Sequence, residues 1–342
     1  MPVHVLDWLT DDIEQAQARH RATVASLYRD PQAGPVYIAG PTCGRRHGLW
    51  GNVGAEMLTA PEAWLGEVLA DLAQRAEEFG DRRTYRPLYV EVDPFGVHYI
   101  DALFGAGVYL YGDQTWSAEL VGDPAELTAP DLAHSVVHRQ ALALVEQAVA
   151  ATRERVLVAP PVLSCPANIA INLYGQRFLE ALLDRPAVAM RVLRLVTDVI
   201  AAATRDFHAV IPAHLQCHSV AGSRYAPPGH GQIDGCATQL FSASQYGGFL
   251  APLDEALLGA SPGGGMIHLC GEHRQHLAVW RDMAPLRSLQ LNDRATDGLP
   301  DYLAARRDDQ LLYVAPTEGM PAQRVLALTG GRGLVLQCDA PF

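Results

Sequence analysis

Two residues able to bind a soft metal stand two apart in Met266-Ile267-His268-Leu269-Cys270-Gly271, directly after the glycine run Gly263 to Gly265. A strand is expected to start there, and side chains two apart on a strand leave from the same face. His268 and Cys270 therefore project together. Cys338 closes another β-rich run, Leu334 to Cys338. In a closed parallel sheet the carboxyl ends of all strands meet at one rim, so these three side chains can share one ion. An imidazole and two thiolates suit Zn²⁺, whose tetrahedral shell would keep one position for water or substrate. The plain alternatives are a hydrogen-bonded core histidine beside cysteines packed as small apolar groups, or a closed structural site with a fourth ligand from Cys217, Cys236, His218 or His273.

Eight β-rich runs, each closed by glycine or proline, would position these residues: 35–39, 88–92, 155–159, 215–218, 266–270, 286–291, 311–315 and 334–338. Helical periodicity fills 7–28, 60–79, 135–151, 178–207 with a break at Pro186, 244–258, 272–280 and 321–328. Strands alternating with helices imply right-handed βαβ units, and eight of them predict an α/β fold, a (β/α)₈ TIM barrel with an N-terminal helical extension. The competitor, a doubly wound sheet, is disfavoured because no G-x-G-x-x-G follows the first strand. No repeat or long linker divides the chain, so residues 1–342 read as a single domain, with 1–34 a helical segment packed on the barrel.

Composition narrows the chemistry. The 342 residues carry a formal charge of -12 and no basic run, which argues against nucleic acid as a partner. No apolar run of about 18 residues and no secretory leader pattern occur, so a cytoplasmic protein without a membrane partner is expected. Six cysteines in such a chain read as buried thiols or metal ligands rather than disulfides. There is no lysine, because all 26 cationic residues are arginine. A lysine Schiff base and a Walker-type phosphate loop are thereby excluded.

Met266 to Gly271, with Cys338-Asp339-Ala340-Pro341, resembles the His-x-Cys…Cys zinc motif of the cobalamin-dependent methyltransferases in the uroporphyrinogen decarboxylase superfamily, the branch that includes the methylcobamide:coenzyme M methyltransferases. Leu103 to Trp116 and Gln239 to Leu253 look similar to further segments of that family, and the likeness runs from about residue 85 onward. The resemblance implies a TIM barrel, a zinc ion held by His268, Cys270 and Cys338, and transfer of a methyl or other alkyl group to a zinc-bound thiolate. A small-molecule thiol would be the acceptor. A methyl-corrinoid (cobalamin), free or carried by a corrinoid protein, would be the donor. The physical logic holds without the name, since coordination deprotonates a thiol and gives a nucleophile at neutral pH. Two departures stand out: only Asp339 to Phe342 follow the last cysteine, where the family continues into a helix, and Gly40 to Arg46 lacks the arginine-rich signature of the true decarboxylases.

Other polar residues at expected strand ends would share the rim. Asp93, His218 and Asn292 are candidates for substrate binding, although Asp93 before Pro94 and Asn292 before Asp293 also fit plain turn and helix caps. Glu318 directly follows a strand and is a candidate catalytic group, either as a fourth ligand or by orienting His268. Asp234 stands where relatives carry an acidic residue ahead of the segment at Gln239, which makes it the second catalytic candidate. The glycine- and proline-rich stretch Ser219 to Gly235 reads as a loop or lid. Two further functions compete: a metal-free decarboxylase using arginines such as Arg45 and Arg46, and a non-catalytic corrinoid-binding barrel with structural zinc.

Overall fold

The computed structural model describes residues 6–39, 60–77, 84–111, 114–218 and 225–338. Eleven strands occur there: β1 (Val36–Ala39), β2 (Thr84–Tyr85), β3 (Tyr89–Glu91), β4 (Val108–Tyr111), β5 (Gln114–Ser117), β6 (Leu157–Ala159), β7 (Gly231–Asp234), β8 (Gly265–Leu269), β9 (Leu286–Leu291), β10 (Leu311–Val314) and β11 (Leu334–Cys338). Seven form one parallel sheet in the order β2-β1-β11-β10-β9-β8-β7. From β7 to β11 each strand lies beside its sequence neighbour, so helices such as Ala251–Gly259, Leu277–Asp282 and Ala322–Thr329 serve as the crossovers that parallel pairing requires. This is an α/β fold consistent with a TIM-barrel-like arrangement.

The hydrogen-bonded ladders do not form one closed ring among the described residues. β3 and β6 make a separate parallel pair, and single bridges, Val158 with Gln216 and Ser164 with Asp234, link that pair to the rest. Sequence explains the interruption, because Pro160 and Pro161 follow β6 and have no amide hydrogen to donate. Seven of the eight expected strands are present, while the 215–218 run makes only isolated bridges. The antiparallel β4–β5 hairpin and β7 were not expected. β7 lies in a stretch whose glycines suggested a loop. Gly231 instead faces Gly265 across the ladder, where a Cβ on Gly265 would sit 2.7 Å from the Gly231 carbonyl oxygen, so these glycines let two strands start close together.

The strands of the large sheet are buried on both faces, as parallel strands usually are. Ile267, Leu269, Leu289, Leu291, Leu312, Val314, Leu334 and Leu336 belong to the main core together with the helices. Their alternates Met266, Leu311, Tyr313 and Val335 join a smaller cluster on the other face of the sheet. Into that cluster the helix Asp11–Arg29 inserts Val24, Leu27 and Tyr28. The Tyr28 and Tyr313 hydroxyls are 3.2 Å apart, and Tyr28 also reaches the Ser288 hydroxyl at 3.1 Å. In the helical layer, Trp280 Nε1 donates to the Tyr246 hydroxyl, which donates to Asp254. No described helix is long and apolar enough to cross a membrane.

Two measurements check this packing. Leu27→Ala, at a side chain only 1% exposed, should lower stability by about 2–5 kcal/mol in denaturant unfolding; a loss of a few tenths would make the helix an appendage. Burial pushes the Asp254 carboxyl up to about 7, against the pull of the Tyr246 hydroxyl. The folded state thus holds that proton more tightly than the unfolded chain, and stability drains away as pH rises from about 4 to about 7. Asp254→Asn should flatten unfolding midpoints across that window.

Candidate metal centre

The site is assembled by the register of three neighbouring strands. Asp234 of β7 lies opposite His268 of β8, and His268 lies opposite Gln290 of β9. Beyond the strand ends the pairing continues for one more step, as Gly235 N donates to His268 O and Asn292 N donates to Leu269 O, both at 2.9 Å. Because His268 alternates with Ile267 and Leu269 of the main core, it leaves the opposite face of the sheet, and Cys270 follows it on the same side. Cys236 stands two residues after Asp234 and so reaches the same place from β7. Gly235 permits the turn, since a Cβ there would lie 2.9 Å from Ile267 Cγ2.

The ligand atoms of Cys236, His268 and Cys270 all lie within 4.8 Å of one another. The imidazole is buried and the two cysteines are half-buried. The Cys236 thiol hydrogen-bonded to Cys270 holds the Cys270 thiol down, to about 4, with desolvation opposing and His268 and His273 assisting. That direction favours the thiolate at this pair of cysteines, the form that binds metal. Two sulfurs and one nitrogen match Zn²⁺ better than hard cations, which prefer oxygen.

Surrounding groups hold the donors in place. His268 Nδ1 is hydrogen-bonded to Gln290 Oε1, and Gln290 Nε2 donates to Gln337 Oε1 at 3.1 Å. The turn after β7 is pinned by Ala237 N donating to Asn168 Oδ1 at 2.8 Å and by the Thr238 hydroxyl donating to Gly235 O at 2.7 Å. His273, fully buried, places its ring nitrogens against Gly271 O and Cys236 O.

The expected site residues fall in different places. His268 and Cys270 come together as expected. Cys338 ends β11 opposite Ala39, and its side chain lies outside the described residues; among the described β11 side chains, Gln337 reaches the site through Gln290. Asp234 is buried beside His268, Asp93 is buried just past β3, and Asn292 is half-buried next to Cys270. Glu318 is exposed in the loop after β10. His218 lies against His208, with ring centroids 5.9 Å apart, and is pushed down to about 3 by desolvation and by His208 and His230. Cys236 was weighed from sequence as a packed thiol or a fourth ligand, not as one of the first three. Recognising β7 as a strand would have revealed it, because its spacing from Asp234 repeats that of Cys270 from His268.

No protein-family profile and no curated protein matches the sequence. The chain is similar in fold to a methyltransferase from Methanosarcina mazei. The likeness covers 92% of this chain and 90% of that one, with a TM-score of 0.62 and 14% identity. At that identity it speaks to the fold alone, and a Cys-His-Cys group able to hold a metal sits within it.

Metal analysis of the purified protein tests the donor set. Near-stoichiometric zinc is expected, lost in Cys236→Ser and Cys270→Ser, and Cys338→Ser decides whether a third cysteine joins them. Loss in Cys338→Ser with retention in Cys236→Ser would restore the ligand set implied by the resemblance. Loss in both would mean a closed four-ligand shell.

Proposed function

We propose that this protein is a zinc-dependent methyl (alkyl) transferase that moves a methyl group from a methyl-corrinoid to a small-molecule thiol. The observation that carries the reading is the gathering of Cys236, His268 and Cys270 at the carboxyl ends of adjacent parallel strands, on the inner face of a sheet whose fold is similar to that of a methyltransferase. Such a rim is where catalytic groups of barrel enzymes are built. We read the two sheets as one barrel, completed through the bridges at Gln216 and Ser164. The resemblance of the 266–271 and 338–341 segments to the cobalamin-dependent methyltransferases supports the same assignment.

Zn²⁺ bound there would hold an incoming thiol as thiolate and so supply the nucleophile. The protein's part is positional. Cys236 and Cys270 offer sulfur, His268 offers nitrogen, and three donors leave a position for the acceptor. Asp234 flanks His268 from β7 and Asn292 flanks Cys270 from β9, so both are assigned to positioning the acceptor. Asp93 is assigned to the inner wall beyond β3. Glu318, on the loop after β10, is assigned to the outer rim, where a donor arrives. In the reaction the acceptor sulfur forms a bond to the methyl carbon as the cobalt–carbon bond breaks, and the electron pair of that bond stays on cobalt, taking Co(III) to Co(I). No protein nucleophile is consumed.

Zinc-loaded protein mixed with methylcobalamin and a panel of thiols should show loss of the cobalt–carbon absorbance with at least one thiol, and Cys270→Ser should slow it by at least about 100-fold. X-ray absorption should show an added sulfur entering the zinc shell. A shell that no thiol alters would leave the metal structural and end this reading.

A further inference from the structure

We infer that Gln290 fixes the tautomer of His268, keeping the proton on Nδ1 so that Nε2 is the metal-binding atom. The inference rests on the metal reading above and names the residue that prepares its nitrogen ligand. Gln290 is 2% exposed on β9, in register with His268. An amide side chain has one donating and one accepting end, and its neighbours permit only one orientation here. Gln290 Nε2 lies 3.3 Å from the carbonyl oxygen of Leu291, which can only accept, so that end must be the NH₂ group. The same group donates to Gln337 Oε1 at 3.1 Å, within a side chain that is itself buried.

The other end, Oε1, consequently faces His268 Nδ1. An amide oxygen has no hydrogen to give, so the hydrogen between them belongs to Nδ1. A neutral imidazole protonated on Nδ1 carries its lone pair on Nε2. A backbone carbonyl on β9 and the Gln337 amide on β11 thus decide, through Gln290, which nitrogen is open to a metal. Gln290 touches no reacting atom and is a positioning residue. Partners of this kind typically change metal affinity by about 10–100-fold when removed.

The test uses the full-length protein and two readouts. In metal-free protein with ¹⁵N-labelled histidine, the neutral form of His268 should show a protonated Nδ1 and an unprotonated Nε2, its signals assigned by their loss in His268→Gln. Gln290→Leu should give mixed tautomers and bind zinc about 10–100-fold more weakly in competition with a chromophoric chelator. Gln290→Glu, which keeps an acceptor in the same position, should retain both the tautomer and most of the affinity. Protonation of His268 on Nε2 in the wild type overturns the inference, as does a Gln290→Leu variant unchanged in both readouts. If Gln290→Leu does not fold, the wild-type spectrum and Gln290→Glu still decide. Should the wild type bind no zinc, the metal reading falls, and the spectrum of the metal-free protein settles the tautomer separately.

Discussion

The parallel register between β7 and β8 is the constraint on which the candidate centre depends. With Asp234 opposite His268, the residues two further along each chain, Cys236 and Cys270, arrive side by side. A slip of one residue would send every side chain of the slipped strand to the other face. The apolar alternates forbid it: Ile233, Ile267 and Leu269 are packed in the main core, and a slip would place His268 there without a partner. The helical layer therefore fixes the register, and the register fixes the sulfurs.

The sheet face that carries His268 is of mixed character. One part is filled by Val24, Leu27 and Tyr28 with Tyr85, Tyr225 and Tyr313, all buried. Another is polar, with Ser288, Gln290, Gln337 and His268 all buried. Burying that many polar groups is tolerable only because they satisfy one another, as the bonds among Gln290, Gln337 and His268 do. The same bonds tie β8, β9 and β11 together beside the candidate centre.

Much of this was legible in sequence. His268 and Cys270 announced themselves because alternation on a strand is a local property, needing only the start of β8 after three glycines. The longest helices and seven strands followed from periodicity and punctuation for the same reason, whereas the helices Pro166–Tyr174 and Leu299–Ala305 were not expected. What local patterning could not supply was pairing. β7 was hidden because its glycines serve a close approach to β8 rather than a turn, and with β7 went the partnership of Cys236. Gln290 and Gln337 carried no signal alone, since an amide on an otherwise apolar strand acquires meaning only from its cross-strand neighbours. The 215–218 run was credited as a full strand for a complementary reason, whereas among the described residues it makes only isolated bridges.

The N-terminal helix has a consequence for how the two ends of the chain are tied together. Its Val24, Leu27 and Tyr28 pack in one cluster with Met266 of β8, Tyr313 of β10 and Val335 of β11. Strands laid down late in the chain are thereby buckled to its beginning, so unfastening that single helix would uncover all three at once.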